Sequence, residues 1–259
     1  MDLGLRGRKA IVCGSSRGLG KACAQALAEA GVAVVLNGRD RERLETAAEE
    51  IRRSTGAEVT PVVADIGTQA GQASLLAACP RPDILINNSG GPPFRDFRSL
   101  AHQDMVDGLR MNMLTPIELV QKVIDHMTAQ RFGRIVNITS ITVKMPLAGL
   151  DLSSGARAGL TAFLAGVARE VAAHNVTINQ LMPGYFGTER LLQSFAATAA
   201  RTGATEAEAQ AQMIAGIPAG RVGSPAEFGQ TCAFLCSTHA AFITGQNLLL
   251  DGGMHRSAF

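Results

Sequence analysis

The stretch KAIVCGSSRGLG, Lys9 to Gly20, decides the fold that the sequence predicts. Its first five residues form a short apolar run typical of a buried strand, and a helical pattern begins at Gly18. The glycines between them permit a tight turn and let backbone N–H groups approach a phosphate at the start of the helix. The spacing is GxxxGxG rather than GxGxxG, so the loop alone is a weak signal. Its position between a buried strand and a helix makes it a candidate pyrophosphate site.

The rest of the chain alternates short apolar runs with Ala-rich helical stretches. Strands are predicted at 9–13, 32–37, 58–66, 83–88, 133–140, 176–184 and 247–253, and helices at 18–30, 40–54, 99–131, 153–174 and 225–237. Apolar strands separated by helices predict a parallel sheet covered on both faces, and right-handed crossovers make it doubly wound. We therefore expect an α/β fold of Rossmann type that forms a single domain over 1–259.

One stretch, 187–220, escapes this alternation and is rich in Ala, Thr, Gln and Glu. It is predicted to be a helical insertion that covers a ligand cleft. The alternative is a helical excursion at the periphery of the domain.

The composition excludes several classes of protein. A formal net charge of +2 argues against a surface for nucleic acid or for membranes. No apolar run approaches the ~20 residues that span a bilayer, and MDLGLRGRKA lacks the apolar core of a signal peptide, so we expect a cytoplasmic protein. The five cysteines have no paired metal-ligand spacing, so we expect reduced, mostly buried thiols and no metal.

Four motifs together resemble the pattern of the short-chain dehydrogenase/reductase family. They are Gly14 to Gly20, Asn87-Asn88-Ser89-Gly90, Pro183-Gly184 and Asp251-Gly252-Gly253. The resemblance extends from about residue 5 to 253 and is nearest to 3-oxoacyl carrier-protein reductase-like members. It implies a seven-stranded parallel sheet, a nicotinamide cofactor and a homo-oligomer, either a dimer or a tetramer.

The resemblance also implies a set of cofactor-binding residues. The pyrophosphate loop is Gly14, Ser16, Arg17, Gly18, Leu19 and Gly20; the adenine pair is Asp65 and Ile66; the segment after the fourth strand is Asn88, Ser89 and Gly90; the nicotinamide stretch is Pro183, Gly184 and Thr188. Cys13 stands where the family has Thr, and Ser89 where it has Ala. Both changes are small and should leave the fold intact.

The end of the second strand indicates which nicotinamide nucleotide is bound. An NAD site usually has an acidic residue there, whereas this strand ends Leu36-Asn37-Gly38-Arg39. A 2′-phosphate needs cationic donors, and Arg17 and Arg39 can converge on it. The sequence therefore favours NADP(H), unless Arg39 is only a solvent-facing charge.

The catalytic motif that the resemblance implies is altered. Ser140 and Asn112 match the family's Ser and Asn, but Ser153 and Arg157 stand where the family has Tyr and Lys. A phenol can be brought toward the working pH range by a nearby cation, whereas a Ser hydroxyl is a far poorer proton donor. Arg157 can bind ribose hydroxyls, but it cannot release a proton at neutral pH.

Two other residues are candidates for the missing proton donor. Lys144 follows Ser140 by four residues, and Tyr185 is the only tyrosine and follows Pro183-Gly184. Either could act if burial or a neighbouring cation lowered its pKa. The alternatives are a surface loop for Lys144 and packing for Tyr185.

The sequence thus predicts an NADP(H)-dependent oxidoreductase that interconverts a small-molecule carbonyl and an alcohol. The main alternative is a non-catalytic NADP(H)-binding protein, a sensor or scaffold that lost its Tyr–Lys pair. A lyase or dehalogenase on the same fold ranks last, because such relatives generally abandon the glycine loop that is kept here.

Overall fold

Seven parallel strands form one sheet at the centre of the molecule. The structure is a computed structural model that describes residues 1–91 and 94–257, without the side chains of 194, 197, 198 and 200–202. The strands are β1 (Lys9–Val12), β2 (Ala33–Gly38), β3 (Val59–Val63), β4 (Ile84–Asn87), β5 (Gly133–Ile138), β6 (Val176–Pro183) and β7 (Asn247–Leu250). They are ordered β3-β2-β1-β4-β5-β6-β7, which confirms the predicted doubly wound, seven-stranded fold.

Helices cover both faces of the sheet. They are α1 (Gly18–Glu29), α2 (Arg41–Thr55), α3 (Gln69–Ala78), α4 (His102–Leu109), α5 (Thr115–Ala129), α6 (Asp151–Val171), α7 (Glu189–Thr202), α8 (Glu206–Ala215) and α9 (Pro225–Cys236). One apolar core joins the sheet to α1, α2 and α9, and a second joins it to α3, α5 and α6. The strand order reverses between β1 and β4, and in open α/β sheets this point forms the ligand crevice.

The predicted helical stretch over 99–131 is helical from His102 to Ala129, but it is not one regular α-helix. The chain instead forms α4, a π-helical turn over Arg110–Leu114, and then α5. Pro116 explains the break, because it has no N–H to donate to the carbonyl four residues earlier, at Asn112. The helix takes a wider turn, in which the Thr115 N–H donates to the Arg110 carbonyl. The π turn places Asn112 in the interior, with 1% of its surface exposed.

Other boundaries shift by a few residues. Strand β3 ends at Val63, so Asp65 and Ile66 lie in the loop that follows it. Helix α6 begins at Asp151, two residues before the predicted start. The 187–220 stretch contains α7 and α8 and is helical, as predicted.

The described residues also bear on membranes, metals and thiols. No helix among them is both long and apolar enough to cross a membrane. Within the same residues, no group of His, Cys, Asp and Glu is arranged to hold a metal ion. All five cysteines are buried and unpaired, which confirms their predicted burial. Burial raises the pKa of the Cys13 thiol to about 12, so the thiol beside the glycine loop stays neutral at physiological pH.

A buried arginine anchors the end of the sheet opposite the crevice. Arg134 is the second residue of β5, and 1% of its surface is exposed. Its guanidinium donates to the Gly133 and Asn175 carbonyls at 2.8 Å and to the Ser237 carbonyl at 3.3 Å. It also stacks on the Phe132 ring, 4.4 Å from the centroid. Burial lowers the pKa of Arg134, but these neutral acceptors and the aromatic face compensate for the desolvated charge.

Replacing Arg134 by Met should therefore destabilise the protein. The substitution keeps the apolar stem of the side chain but removes the guanidinium that donates to buried carbonyls, at a cost of about 2–4 kcal/mol in the free energy of unfolding. Chemical denaturation monitored by circular dichroism measures this loss. Arg131→Met is the matched control, since Arg131 is exposed and donates only to the Ala173 carbonyl. Equal stability of the two variants would contradict the anchoring role.

Candidate active site

The glycine loop is locked between β2 and β4. Gly14 and Gly18 have φ angles of +55° and +58°, which favour glycine. A Cβ atom at Gly20 would lie 2.3 Å from the Gly14 carbonyl oxygen, so no side chain fits there. The buried Ser15 donates its hydroxyl to the Val12 carbonyl at 2.7 Å, and Asn88 donates its amide to the Gly14 carbonyl at 2.9 Å. The loop is therefore held in one shape by its neighbours.

The first turn of α1 fits a phosphate. Arg17 precedes the helix in an extended conformation and makes no side-chain cap, and the first turn has no acidic residue. In contrast, Asp40 caps α2, Thr205 caps α8 and Ser224 caps α9. The N–H groups at the start of α1 thus have no side-chain acceptor of their own, and they lie at the crevice where a pyrophosphate would meet them. Ser16 and Leu19 of this loop are both half-buried.

Ser140 lies just beyond the end of β5, where its side chain caps a short 3₁₀ helix, Ile141–Val143. Its Oγ accepts a hydrogen bond from the Thr142 N–H at 3.1 Å and another from the Thr142 hydroxyl at 3.0 Å. A hydroxyl oxygen accepts two hydrogen bonds and donates one. Because Thr142 occupies both acceptor positions, the Ser140 O–H is left as a donor.

Ser153 and Arg157 lie one turn apart in α6 and contact each other. Arg157 Nε donates to Ser153 Oγ at 3.1 Å, and both residues are 7% exposed. A second guanidinium nitrogen donates to the Ile138 carbonyl at 2.6 Å, and the third lies 3.5 Å from the Ser89 carbonyl. The guanidinium is thus held against the carboxyl ends of β4 and β5. Three of its five N–H groups are engaged, which leaves two for another molecule.

The Arg157 charge has no carboxylate partner among residues 1–91 and 94–257. Burial, followed by the nearby positive charge of Arg190, lowers the pKa of Arg157 from 12.5 to about 10. At neutral pH the guanidinium therefore remains protonated. It acts as a fixed cation and hydrogen-bond donor rather than as a proton source.

Asn112 faces the interior from the π turn. Its side-chain amide lies 3.4 Å from the Gly108 carbonyl, while Oδ1 is buried and has no donor within the described part of the chain. Buried acceptors of this kind are normally paired. Oδ1 is thus available to a donor that a bound molecule brings.

The two alternative proton donors lie at the edges of this arrangement. Lys144 follows the 3₁₀ helix and is exposed. Tyr185 is half-buried, and its backbone carbonyl accepts from the Gly223 N–H at 2.9 Å. Neither side chain makes a hydrogen bond or ion pair with the residues that the structure describes, so no contact assigns either of them a role in proton transfer.

The predicted adenine residues lie in the loop that follows β3. The Asp65 carboxylate accepts from the Gly67 N–H at 2.9 Å and shapes the loop after β3, in which Ile66 is half-buried. Ser89 donates its hydroxyl to the Met111 carbonyl at 3.2 Å. Gly90 lines a cavity of about 270 Å³ together with Arg39. Asn112 lines the same cavity.

Arg17 and Arg39 do not line the same cavity. Arg39 faces the 270 Å³ cavity, whereas Arg17 lines a second one of about 590 Å³ beside α2, together with Arg43. Arg17 and Arg43 both donate to the Glu189 carboxylate.

The segment after β6 crosses the crevice. Gly184 N–H donates to the Leu250 carbonyl at 2.8 Å and fixes the end of β6, at Pro183, against β7. The Thr188 methyl group lies 3.7 Å from the position of a Cβ on Gly18. The Arg190 guanidinium lies 3.0 Å from the position of a Cβ on Gly91. The start of α7 thus reaches both the glycine loop and the segment after β4.

Four residues of this site escaped the sequence analysis. Thr142 had a local signal, the Ser-x-Thr spacing that places its N–H and hydroxyl on Ser140. Arg43, Glu189 and Arg190 had none, because their contacts join segments far apart in the chain.

These features define a nucleotide-binding crevice of an open α/β sheet that also carries a serine pair and a buried guanidinium. The sequence model of a family described as enoyl-(acyl carrier protein) reductase matches residues 14–255. The NADPH-dependent reductase BacG of Bacillus subtilis (strain 168) is 32% identical over 255 residues, which cover 96% of this chain and 98% of that protein. The 3-oxoacyl-[acyl-carrier-protein] reductase FabG of Aquifex aeolicus (strain VF5) is 32% identical over 98% of this chain and 100% of its own length.

A solved structure of another reductase is similar to this chain over almost its whole length. The L-sorbose reductase from Gluconobacter frateurii, complexed with NADPH and L-sorbose, superposes with a TM-score of 0.94 at 27% identity and covers 99% of this chain and 100% of its own. The chain belongs to the short-chain dehydrogenase/reductase family.

Proposed function

We propose that this protein is an NADP(H)-dependent oxidoreductase that interconverts a carbonyl and an alcohol, with Ser153 and Arg157 in place of the family's Tyr and Lys. The observation that carries the proposal is the position of Arg157. Its guanidinium is fixed at the carboxyl ends of β4 and β5, with two N–H groups unengaged and no carboxylate partner among the described residues.

The cofactor is held by the residues around the crevice. The start of α1 and Gly14, Gly18 and Gly20 receive the pyrophosphate, Asp65 and Ile66 border the adenine, and Arg157 binds ribose hydroxyls in the role of the family's Lys. Pro183, Gly184 and Thr188 border the nicotinamide. When bound, NADPH supplies the hydride. The NADPH-dependent reductases among the relatives support this choice of nucleotide.

Ser140 polarises the substrate. Its hydroxyl accepts two hydrogen bonds from Thr142, so the remaining O–H donates to the carbonyl oxygen of the substrate. Negative charge develops on that oxygen as the hydride reaches the carbon, and a fixed donor stabilises it. Nearby, the Arg157 cation adds a favourable potential without giving up its proton.

The proton for the resulting alkoxide comes from a group other than Arg157. Ser153 accepts from Arg157 and keeps its own O–H as a donor, which suits it to hold a water molecule or the substrate oxygen in place. Asn112 Oδ1 provides a second anchor for such a water. Lys144 and Tyr185 remain the candidate side chains for direct proton transfer.

The 187–220 segment acts as the lid of this site. The start of α7 lies over Gly18 through Thr188 and over Gly91 through Arg190. A segment that contacts both walls of the crevice excludes water from the reacting atoms when it is closed.

Ser153 supports a second candidate function, an NADP(H)-binding protein without catalysis. Its hydroxyl is a far poorer proton donor than a tyrosine, and it accepts a hydrogen bond from Arg157. A protein that binds NADP(H) as a sensor or scaffold needs only the cofactor contacts, all of which would be kept. Turnover separates this alternative from the main proposal.

Nucleotide preference is the first test. Calorimetric titration should show NADPH binding about tenfold or more tightly than NADH, because charge-assisted hydrogen bonds to the 2′-phosphate strengthen binding. Arg39→Ala should narrow that difference, whereas Arg41→Ala should leave it intact, since Arg41 pairs with Glu45 on the outer surface of α2. Equal affinities of the unaltered protein for the two nucleotides would contradict the assignment.

The reductase chemistry is tested by serine substitutions. Ser140→Ala should lower kcat for an active carbonyl substrate on the order of 100-fold, because an oxyanion donor is lost. Ser153→Ala should lower it much less. Tyr185→Phe and Lys144→Met identify the proton donor, since each keeps most of the shape of the side chain, and NADPH oxidation is followed by absorbance.

One outcome would favour the sensor instead. If a broad carbonyl panel gives no NADPH oxidation, and Ser153→Tyr with Arg157→Lys creates it, the protein binds the cofactor without chemistry. The family's tyrosine would then restore the proton donor, and lysine the cation that activates it.

The proposal includes a homo-oligomer. Met105, Leu109, Leu114 and Phe163, on α4, the π turn and α6, are 41–50% exposed. Apolar side chains exposed in this number favour an interface. Light scattering at micromolar concentration should give the mass of a dimer or tetramer, and Phe163→Glu should shift it toward the monomer. A monomeric mass for the unaltered protein would contradict the assembly.

A further inference from the structure

Glu189, the first residue of α7, contacts two arginines at the rim of the cofactor crevice. The Glu189 carboxylate accepts a hydrogen bond from the guanidinium of Arg17 and another from that of Arg43, the latter at 3.4 Å. Arg17 belongs to the glycine loop, Arg43 to the first turn of α2 and Glu189 to α7. One carboxylate thus connects the lid to both elements that flank this side of the crevice.

These three side chains line the cavity of about 590 Å³ beside α2. Ser16 and Thr46 add hydroxyl groups to its wall. The other charges that face it are largely paired with each other: Lys21 with Glu50, and Asp40 with Arg43 Nε at 3.3 Å. Glu42 also lines the cavity but forms no ion pair within the described ranges.

We infer that Arg43 is a ligand of the 2′-phosphate of NADP(H), and that Glu189 is a built-in competitor which the phosphate must displace from Arg17 and Arg43. The inference rests on the proposed function for the presence of NADP(H) in the crevice. It adds a residue that determines nucleotide specificity and a contact that couples the nucleotide to the lid.

The chemistry of the two anions explains why the exchange occurs. A phosphate carries more charge than a carboxylate and presents three acceptor oxygens, so it bridges two guanidinium groups more effectively. The side chains of Glu189, Arg17 and Arg43 are 50–55% exposed, and ion pairs at such exposure contribute little stability and are readily exchanged.

The coupling follows from the same geometry. NAD(H) has no 2′-phosphate, so it leaves Glu189 on the two arginines. NADP(H) releases Glu189 and with it the first turn of α7, which carries Thr188 over the glycine loop. The contact therefore responds to the one group that distinguishes the two nucleotides.

Calorimetry with 2′,5′-ADP and 5′-AMP tests the inference without any turnover. These probes differ only in the 2′-phosphate. Glu189→Gln should raise the affinity for 2′,5′-ADP about two- to fivefold, which corresponds to the loss of one exposed ion pair. It should leave the affinity for 5′-AMP unchanged. Arg43→Ala should weaken 2′,5′-ADP about tenfold, because a charge-assisted donor is lost, with 5′-AMP again unchanged.

Glu206→Gln and Arg41→Ala are the matched controls, since Glu206 is the exposed first residue of α8 and Arg41 lies in the same helix as Arg43. Neither residue lines the cavity or touches the Glu189 contact, so each substitution should leave the affinity for 2′,5′-ADP as it is. If Glu206→Gln raises the affinity for 2′,5′-ADP as much as Glu189→Gln does, general surface charge explains the effect and the inference is wrong. An unchanged affinity in Glu189→Gln or in Arg43→Ala overturns it as well.

The affinities of the unaltered protein for the two probes distinguish failure of this inference from failure of the proposed function. If it binds 2′,5′-ADP no better than 5′-AMP, the NADP(H) assignment falls and the inference falls with it. If it prefers 2′,5′-ADP and only the variants fail to respond, the assignment stands and the competitor role of Glu189 is refuted.

Discussion

The hydrogen bond from the Asn88 amide to the Gly14 carbonyl ties the end of β4 to the glycine loop, and the geometry of the crevice depends on it. β1 and β4 are neighbours in the sheet although two strands separate them in the chain, and their diverging connections open the crevice at this point. The loop fits because no side chain is present at Gly20, where a Cβ would meet the Gly14 carbonyl. The close contact between Gly20 and the Gly14 carbonyl thus fixes the shape of the glycine loop.

Two buried arginines at opposite ends of β5 illustrate how the same charge serves different purposes. Arg134 is surrounded by carbonyl acceptors and an aromatic ring, which compensate for its desolvation and make it part of the framework. Arg157 has fewer acceptors and a second cation, Arg190, near it. Its position is costly for the folded protein alone, and such uncompensated charges are typical of sites that bind a ligand.

Neighbouring residues at the start of α7 contact different parts of the molecule. Thr188 and Arg190 approach the crevice itself, whereas Glu189 between them reaches the outer rim through Arg17 and Arg43. Successive residues at the start of α7 therefore face the glycine loop, the rim and the segment after β4.

The sequence alone determined the fold, because apolar strand patterns and the glycine loop are local features with few topological solutions. The resemblance to the family pointed to Ser140, Ser153 and Arg157 as candidate site residues. The sequence predicted a helical stretch over 99–131 but not the π turn that buries Asn112, for which Pro116 offered a signal. Periodicity does not register the loss of one backbone donor, which is why the π turn was not predicted.

Only the tertiary structure decided which charges meet. Arg17 and Arg39 are 22 residues apart in the chain, yet they line different cavities, and Arg17 meets Glu189 across 172 residues. Likewise, the engagement of both acceptor positions on Ser140, which leaves its O–H as a donor, depends on the turn that brings Thr142 back onto it. Side-chain direction and long-range proximity arise from the packing of helices on the sheet, and a pattern read along the chain carries neither.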